Sequence, residues 1–161
     1  MTVFNKEQIK GSADRCLWRE GDLVYKRDSR RLGLDWREKM EKILTLVRLP
    51  AFAGFIDYGY TTYYIPGQDL HGNQPFLINN ESTQTILPFS RKLEVIRLFH
   101  SIIEVGMLLG YTLGDITCGN IMFDERMLYL IDYEVIVPYP LPEDYLKIWN
   151  NTLHIIFNKG Y

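Results

Sequence analysis

Apolar and polar positions change period several times along the chain, and each change marks an element. Ile9 to Trp18 reads as two strands about a turn at Gly11, and Glu20-Gly21-Asp22 turns the chain again into Leu23-Val24-Tyr25-Lys26-Arg27. The pattern predicts an antiparallel three-strand meander. The period then lengthens. Trp36, Met40, Ile43, Leu44 and Val47 recur at helical spacing, Asp35 stands where a cap belongs, and Pro50 ends the run. Ala53 to Tyr60 and Thr61 to Ile65, rich in aromatic and β-branched residues, predict two further strands. Pro66-Gly67-Gln68-Asp69 breaks that pattern, and the polar, turn-rich stretch from His71 to Leu87 predicts a surface connection over the second half.

Helical spacing returns with Val95, Ile96, Phe99, Ile102, Ile103 and Met107 on one face, Ser90 as a cap and Gly110 as the stop. Two short apolar runs, Ile121 to Phe123 and Leu128 to Ile131, flank a turn at Asp124-Glu125-Arg126 and predict a β-hairpin. Val135 to Pro142 is extended because its prolines forbid a helix. Tyr145, Ile148, Trp149, Leu153 and Ile156 predict one last amphipathic helix. The order of elements gives an α+β class: an antiparallel sheet plus one helix, followed by a mostly helical part.

Composition narrows the setting. A chain of 161 residues accommodates one domain or two small lobes around a shared cleft. With 47% hydrophobic and 24% charged residues it has the make-up of a globular protein, not of a disordered one. A net charge of −2 sets up no field that would draw nucleic acid or an anionic membrane. No apolar run approaches the roughly 20 residues of a membrane-spanning helix. Cys16 and Cys118 are isolated, and His71, His100 and His154 are scattered, which argues against a disulfide framework or a zinc site. The N-terminal residues lack a signal-peptide core, so the expected setting is a reducing cytosol, of the producing cell or of a host.

Candidate chemistry gathers at the hairpin. Asp115 sits on a turn, Asn120 follows five residues later, and Asp132 ends the second strand. The hairpin would bring all three to one edge. One carboxylate can orient a hydroxyl and take its proton, while an amide and a second carboxylate can hold magnesium against nucleotide phosphates.

Leu113-Gly114-Asp115, four residues, Asn120 and then Asp132-Tyr133-Glu134 resemble the catalytic loop and D-F-G segment of the protein-kinase-like superfamily. The Gly-Asp form is most similar to its small atypical branches: RIO kinases, the kinase of the tRNA-threonylcarbamoyl complex, lipopolysaccharide kinases, aminoglycoside phosphotransferases and minimal bacterial effector kinases. The resemblance implies a minimal bilobal fold, with residues 1–66 as the N-lobe and 67–161 as a reduced C-lobe. It implies ATP and Mg2+ as cofactors, Asp115 as catalytic base, Asn120 and Asp132 as metal ligands, and Lys26 as the phosphate-binding lysine. It also implies Gly11, Ser12 and Ala13 as the phosphate-covering loop, and a hinge at Tyr63-Tyr64-Ile65-Pro66-Gly67-Gln68-Asp69-Leu70 whose backbone, Ile65 included, meets the adenine, with Tyr63 standing where the family's string has an acidic residue. Glu41 is implied as the helix carboxylate that pairs with Lys26, with Glu38 one turn earlier as the alternative.

The chain departs from that pattern in four places. The full G-x-G-x-x-G loop is absent, Leu113 replaces a histidine, Tyr133-Glu134 replaces Phe-Gly, and only 27 residues follow Glu134. The last leaves no room for the usual peptide-docking platform. Loss of the glycine removes a flexible φ, and Glu134 is expected to face solvent. Four readings of function stand. They are a minimal kinase acting on a protein hydroxyl (its own included), a pseudokinase that binds nucleotide or protein, a nucleotidyl transferase, and an unrelated metal-dependent hydrolase. The first is preferred because Lys26, Asp115, Asn120 and Asp132 are all present. The expected partner is a protein substrate, with neither nucleic acid nor membrane.

Overall fold

The computed structural model describes residues 7–11, 15–70 and 89–158. The first half forms a five-stranded sheet from β1 (Glu7–Gly11), β2 (Arg15–Glu20), β3 (Leu23–Asp28), β4 (Phe52–Ile56) and β5 (Gly59–Tyr63). Its spatial order is β1-β2-β3-β5-β4, antiparallel throughout, so the meander expected from the sequence is present and β3 lies at the centre. The second strand pair turns earlier than expected, at Asp57-Tyr58 and not after Tyr60. Register explains the difference. Gly59 and Tyr60 already pair with Arg27 and Lys26 of β3, and a Cβ at Gly59 would lie 2.0 Å from the Lys26 carbonyl oxygen.

Helix α1 (Leu34–Leu46) buries Trp36, Met40 and Ile43, as its spacing predicts. Its cap is corrected: Gly33 holds the N-cap position, and Asp35 lies inside the first turn, 3.2 Å from Lys39. There its charge faces the unpaired amides of the helix end without hydrogen-bonding them as a cap would.

The second half is built from β6 (Gln68–Asp69), α2 (Phe89–Leu109), β7 (Tyr111–Leu113), a 3-10 turn at Cys118–Asn120, β8 (Ile121–Phe123), β9 (Leu128–Leu130), β10 (Ile136–Pro138) and α3 (Glu143–Asn158). Strands β8 and β9 form the expected hairpin, with β6 alongside β8, while β10 pairs with β7. The proposed surface connection from His71 to Leu87 lies outside the described residues, as does the Ser90 side chain. On α2 the buried face is Val95, Phe99, Ile102 and Val105. Ile96 and Met107, read as part of that face, are exposed. Only one arc of this helix is covered, and the apolar residues beside it remain in contact with water.

One hydrophobic core draws on α1, β5, α2, β7, β9 and α3. Its joint is aromatic. Trp36 stacks on Tyr60 with centroids 5.5 Å apart, and Tyr60 and Phe52 meet Tyr133 at 5.3 and 5.6 Å. Pairs of this kind add about 0.5–1.5 kcal/mol beyond their area burial. The Trp36 indole N–H also donates to the Tyr133 carbonyl at 2.9 Å, fully buried.

Two stability predictions follow from this packing. Gly59→Ala forces a backbone clash on β3 and should cost about 2 kcal/mol, or about 4–8 °C in melting temperature, read by calorimetry. Trp36→Phe keeps the ring stack but orphans the buried Tyr133 carbonyl. It should cost about 1–3 kcal/mol in denaturant unfolding, and a loss below 0.5 kcal/mol would show that the bond contributes nothing.

Candidate active site

The loop that carries Asp115 is clamped from two sides. Leu113 is buried at the end of β7, opposite Ile136 of β10, and the Gly114 amide donates to the Val135 carbonyl at 2.9 Å. From α3, the Trp149 indole N–H donates to the Gly114 carbonyl at 2.7 Å and the Thr152 hydroxyl to the Ile116 carbonyl at 3.0 Å. The carbonyls on both sides of Asp115 are thus fixed by one helix. Leu113, in place of a histidine, supplies packing in the same brace.

Past the 3-10 turn, the Asn120 side-chain amide donates to both the Asp115 carboxylate and the Asp115 carbonyl, each at 3.0 Å. The Asn120 carbonyl accepts from the Ile131 amide at 3.0 Å, which ties this residue to the one just before Asp132. The hairpin therefore does what its spacing predicts: Asp115 and Asn120 touch, and Asp132 stands one residue beyond the backbone bond that joins them.

Lys26 arrives from β3. Its ammonium donates to Asp132 Oδ2 at 3.1 Å, across 106 residues of sequence. It also lies 2.9 Å from Glu134 Oε1, while Arg15 of β2 reaches Glu134 Oε2 at 3.5 Å. The Glu134 side chain is only 4% exposed, which corrects the expectation that it faces solvent. The cause is electrostatic: a carboxylate is stable out of water when cations face it, and here two do.

The segment behind these carboxylates is fixed. The Tyr133 amide donates to the Tyr60 hydroxyl at 3.3 Å, and the Tyr133 hydroxyl donates to the Leu130 carbonyl. Burial first, then the Asp132 and Glu134 charges, raise the Tyr60 hydroxyl well above its usual range, so it stays protonated. Burial, and then Asp132, raise Tyr133 likewise. For Asp115, burial first and the Asp132 charge second push the carboxyl up, against the Asn120 hydrogen bond and Lys26. A carboxylate made more basic in this way is better suited to take a proton from a hydroxyl.

Other expected positions fall elsewhere. Glu41, expected to pair with Lys26, is exposed and pairs with Arg37 one turn away at 3.3 Å; Glu38 is exposed too. The reason is the orientation of α1, which turns Trp36 toward the Asp132–Glu134 segment and its carboxylates outward. Gly11 closes β1 opposite Cys16, while Ser12 and Ala13 lie outside the described residues. Ile65 packs with Ala51 and Met122 in a small second cluster. The Tyr63 amide donates to the Ala51 carbonyl and the Tyr64 amide to the Asp22 carbonyl, so both hinge amides are committed. A groove of 1120 Å³ borders the hinge from Tyr63 to Gln68 and the β8–β9 turn, and none of Lys26, Asp115, Asn120 and Asp132 lines it.

Asp132 and Asn120 are the residues that could hold Mg2+, which is bound by one or two carboxylates together with the phosphates of its nucleotide; among the described residues no group of three or more His, Cys, Asp and Glu side chains is placed to hold a metal by itself. Two cations (Lys26, Arg15) stand against three carboxylates (Asp115, Asp132, Glu134), leaving an excess negative charge. Glu134 Oε1 is buried without a hydrogen-bond partner among the described residues. Sequence reasoning missed Arg15, Tyr60 and Trp36. Tyr60 alone had a readable signal, as the residue that faces Lys26 once β3 and β5 are in register.

No protein-family model matches the chain, and no curated protein matches it in sequence. Among solved structures it is similar to a choline/ethanolamine kinase family protein from Mesorhizobium loti, with 15% identity and a TM-score of 0.47. That match takes in 98% of this chain and 66% of the other, so the chain spans just under two thirds of the protein it resembles.

Proposed function

We propose that the protein is an ATP- and Mg2+-dependent phosphotransferase that acts on a protein hydroxyl, its own included. One observation carries this reading. An amine from β3 meets Asp132 at 3.1 Å, beside a loop in which Asn120 holds Asp115. Phosphoryl transfer asks a protein for positioning and charge more than for covalent chemistry.

Lys26 would neutralise phosphate oxygens at the sheet side of the site. Asp132 and Asn120 would hold Mg2+, which when bound offsets charge on the phosphates. Asp115 would orient the acceptor hydroxyl and take its proton as the hydroxyl oxygen bonds to the γ-phosphorus and the bond to the β–γ bridging oxygen breaks, leaving ADP. Its carboxylate is aimed by Asn120 and its backbone by α3, so it need not reorganise before reaction.

The test is label transfer from γ-labelled ATP with Mg2+, alone and with cell lysate. Asp115→Asn should lower the rate about 10²–10⁴-fold while leaving nucleotide binding within threefold. Asp132→Asn should abolish transfer and also remove the Mg2+ dependence of nucleotide binding. Mg2+-dependent binding with no transfer would replace the enzyme by a nucleotide-binding module. Label retained from the α-phosphate would replace phosphoryl transfer by nucleotidyl transfer.

A further inference from the structure

We propose that Glu134, in place of a helix carboxylate, is the positioning residue that holds Lys26 and Arg15 ready for nucleotide phosphates. The inference rests on the phosphotransferase reading and adds the means by which its cations are placed.

A lysine ammonium on a flexible four-carbon stem needs a partner to fix it over phosphate. In this chain α1 supplies none: Glu41 pairs with Arg37, Glu38 is exposed, and Trp36 fills the space facing the Asp132–Glu134 segment. Glu134 stands there instead. Its side chain is 4% exposed, with Oε1 2.9 Å from Lys26 Nζ and Oε2 3.5 Å from Arg15 Nη2. The two cations offset the cost of burying this carboxylate, and they in turn are drawn to a fixed point.

The Lys26 ammonium lies 2.9 Å from Glu134 Oε1 and 3.1 Å from Asp132 Oδ2, so two carboxylates of one short segment fix its position. Arg15 opens β2 directly after the turn expected to cover the phosphates, and its side chain is 57% exposed. Its planar fork suits phosphate oxygens, and it offers positive charge where the loop lacks the usual glycines. The backbone of Glu134 is fixed as well: its amide donates to Asp132 Oδ1 at 3.3 Å, and the carbonyl of the preceding Tyr133 is held by Trp36.

The experiment has two arms, run on wild type and on Glu134→Gln, Glu134→Asp, Arg15→Gln and Glu41→Ala, with Lys26→Met added in the binding arm, each checked for fold by circular dichroism. The first arm measures the affinity of a fluorescent ATP analogue in EDTA and in Mg2+. Glu134→Gln should weaken binding in EDTA about tenfold, Arg15→Gln a few-fold, and Glu41→Ala less than twofold. Glu134→Asp, which keeps the charge, should recover at least half of the loss on a logarithmic scale. The second arm reads the rate at which Lys26 is acylated by an amine reagent, followed by mass spectrometry. Lys26 freed from Glu134 should react several-fold faster in Glu134→Gln and near the wild-type rate in Glu41→Ala.

Unchanged Lys26 labelling in Glu134→Gln overturns the proposal, whatever the binding result. A binding loss seen in Mg2+ but not in EDTA assigns Glu134 to the metal and overturns it too. If wild type and Lys26→Met bind the analogue equally poorly, the phosphotransferase reading fails, while the labelling arm still decides whether Glu134 holds Lys26. Should Glu134→Gln not fold, Lys26 labelling in Arg15→Gln takes its place: slower labelling, as Glu134 turns its undivided charge to Lys26, supports the shared carboxylate, and a wild-type or faster rate overturns it.

Discussion

The ion cluster of Lys26 with Asp132 and Glu134 sets the terms for the rest of the molecule. It joins groups 106 and 108 positions apart in the chain, and only a fold that lays the centre of the first sheet against the end of the β8–β9 hairpin can make it. Charges this poorly hydrated are costly unless they meet, so the cluster penalises any arrangement in which the two halves of the chain drift apart. The aromatic joint of Trp36, Phe52, Tyr60 and Tyr133 surrounds it with apolar surface. Packing and charge thus favour the same arrangement from opposite directions: the rings gain by leaving water, and the carboxylates tolerate leaving it because their cations are in place.

That arrangement also bears on control. Where a catalytic lysine depends on a helix carboxylate, rotating the helix switches the site. Here the lysine's partners, Asp132 and Glu134, sit on one short segment, and that segment is held by the Trp36 indole and the Tyr60 hydroxyl. Glutamate at position 134 has neither the conformational freedom of glycine nor its lack of charge. The position of Lys26 thus depends on this segment and not on the carboxylates of α1.

The legible parts of the sequence were those governed by short-range rules. Asp115 and Asn120 meet because five residues of turn and 3-10 backbone bring them together, and the two apolar runs at Ile121 and Leu128 make a hairpin in any context. Lys26 was legible as a strand residue, and the resemblance set it across a nucleotide-sized gap from Asp132; the direct ion pair between them was not foreseen. Glu134 was not legible. A carboxylate after a strand looks solvated until two cations from the start of the chain are known to face it, and periodicity carries no such information. Glu41 failed for the complementary reason: helical spacing places it on α1 but cannot set how α1 is rotated about its axis, and Trp36 decided that. The turn at Asp57-Tyr58 was hidden because aromatic residues continue through it, and the decisive contact, Gly59 against the Lys26 carbonyl, lies in another strand.

Helix α3 hydrogen-bonds the Asp115 loop through Trp149 and Thr152, and these two bonds hold the carbonyls on either side of Asp115. All four groups assigned to chemistry precede that helix in the chain. The backbone around Asp115 is therefore completed only when α3 is in place, so its final shape depends on residues up to position 152.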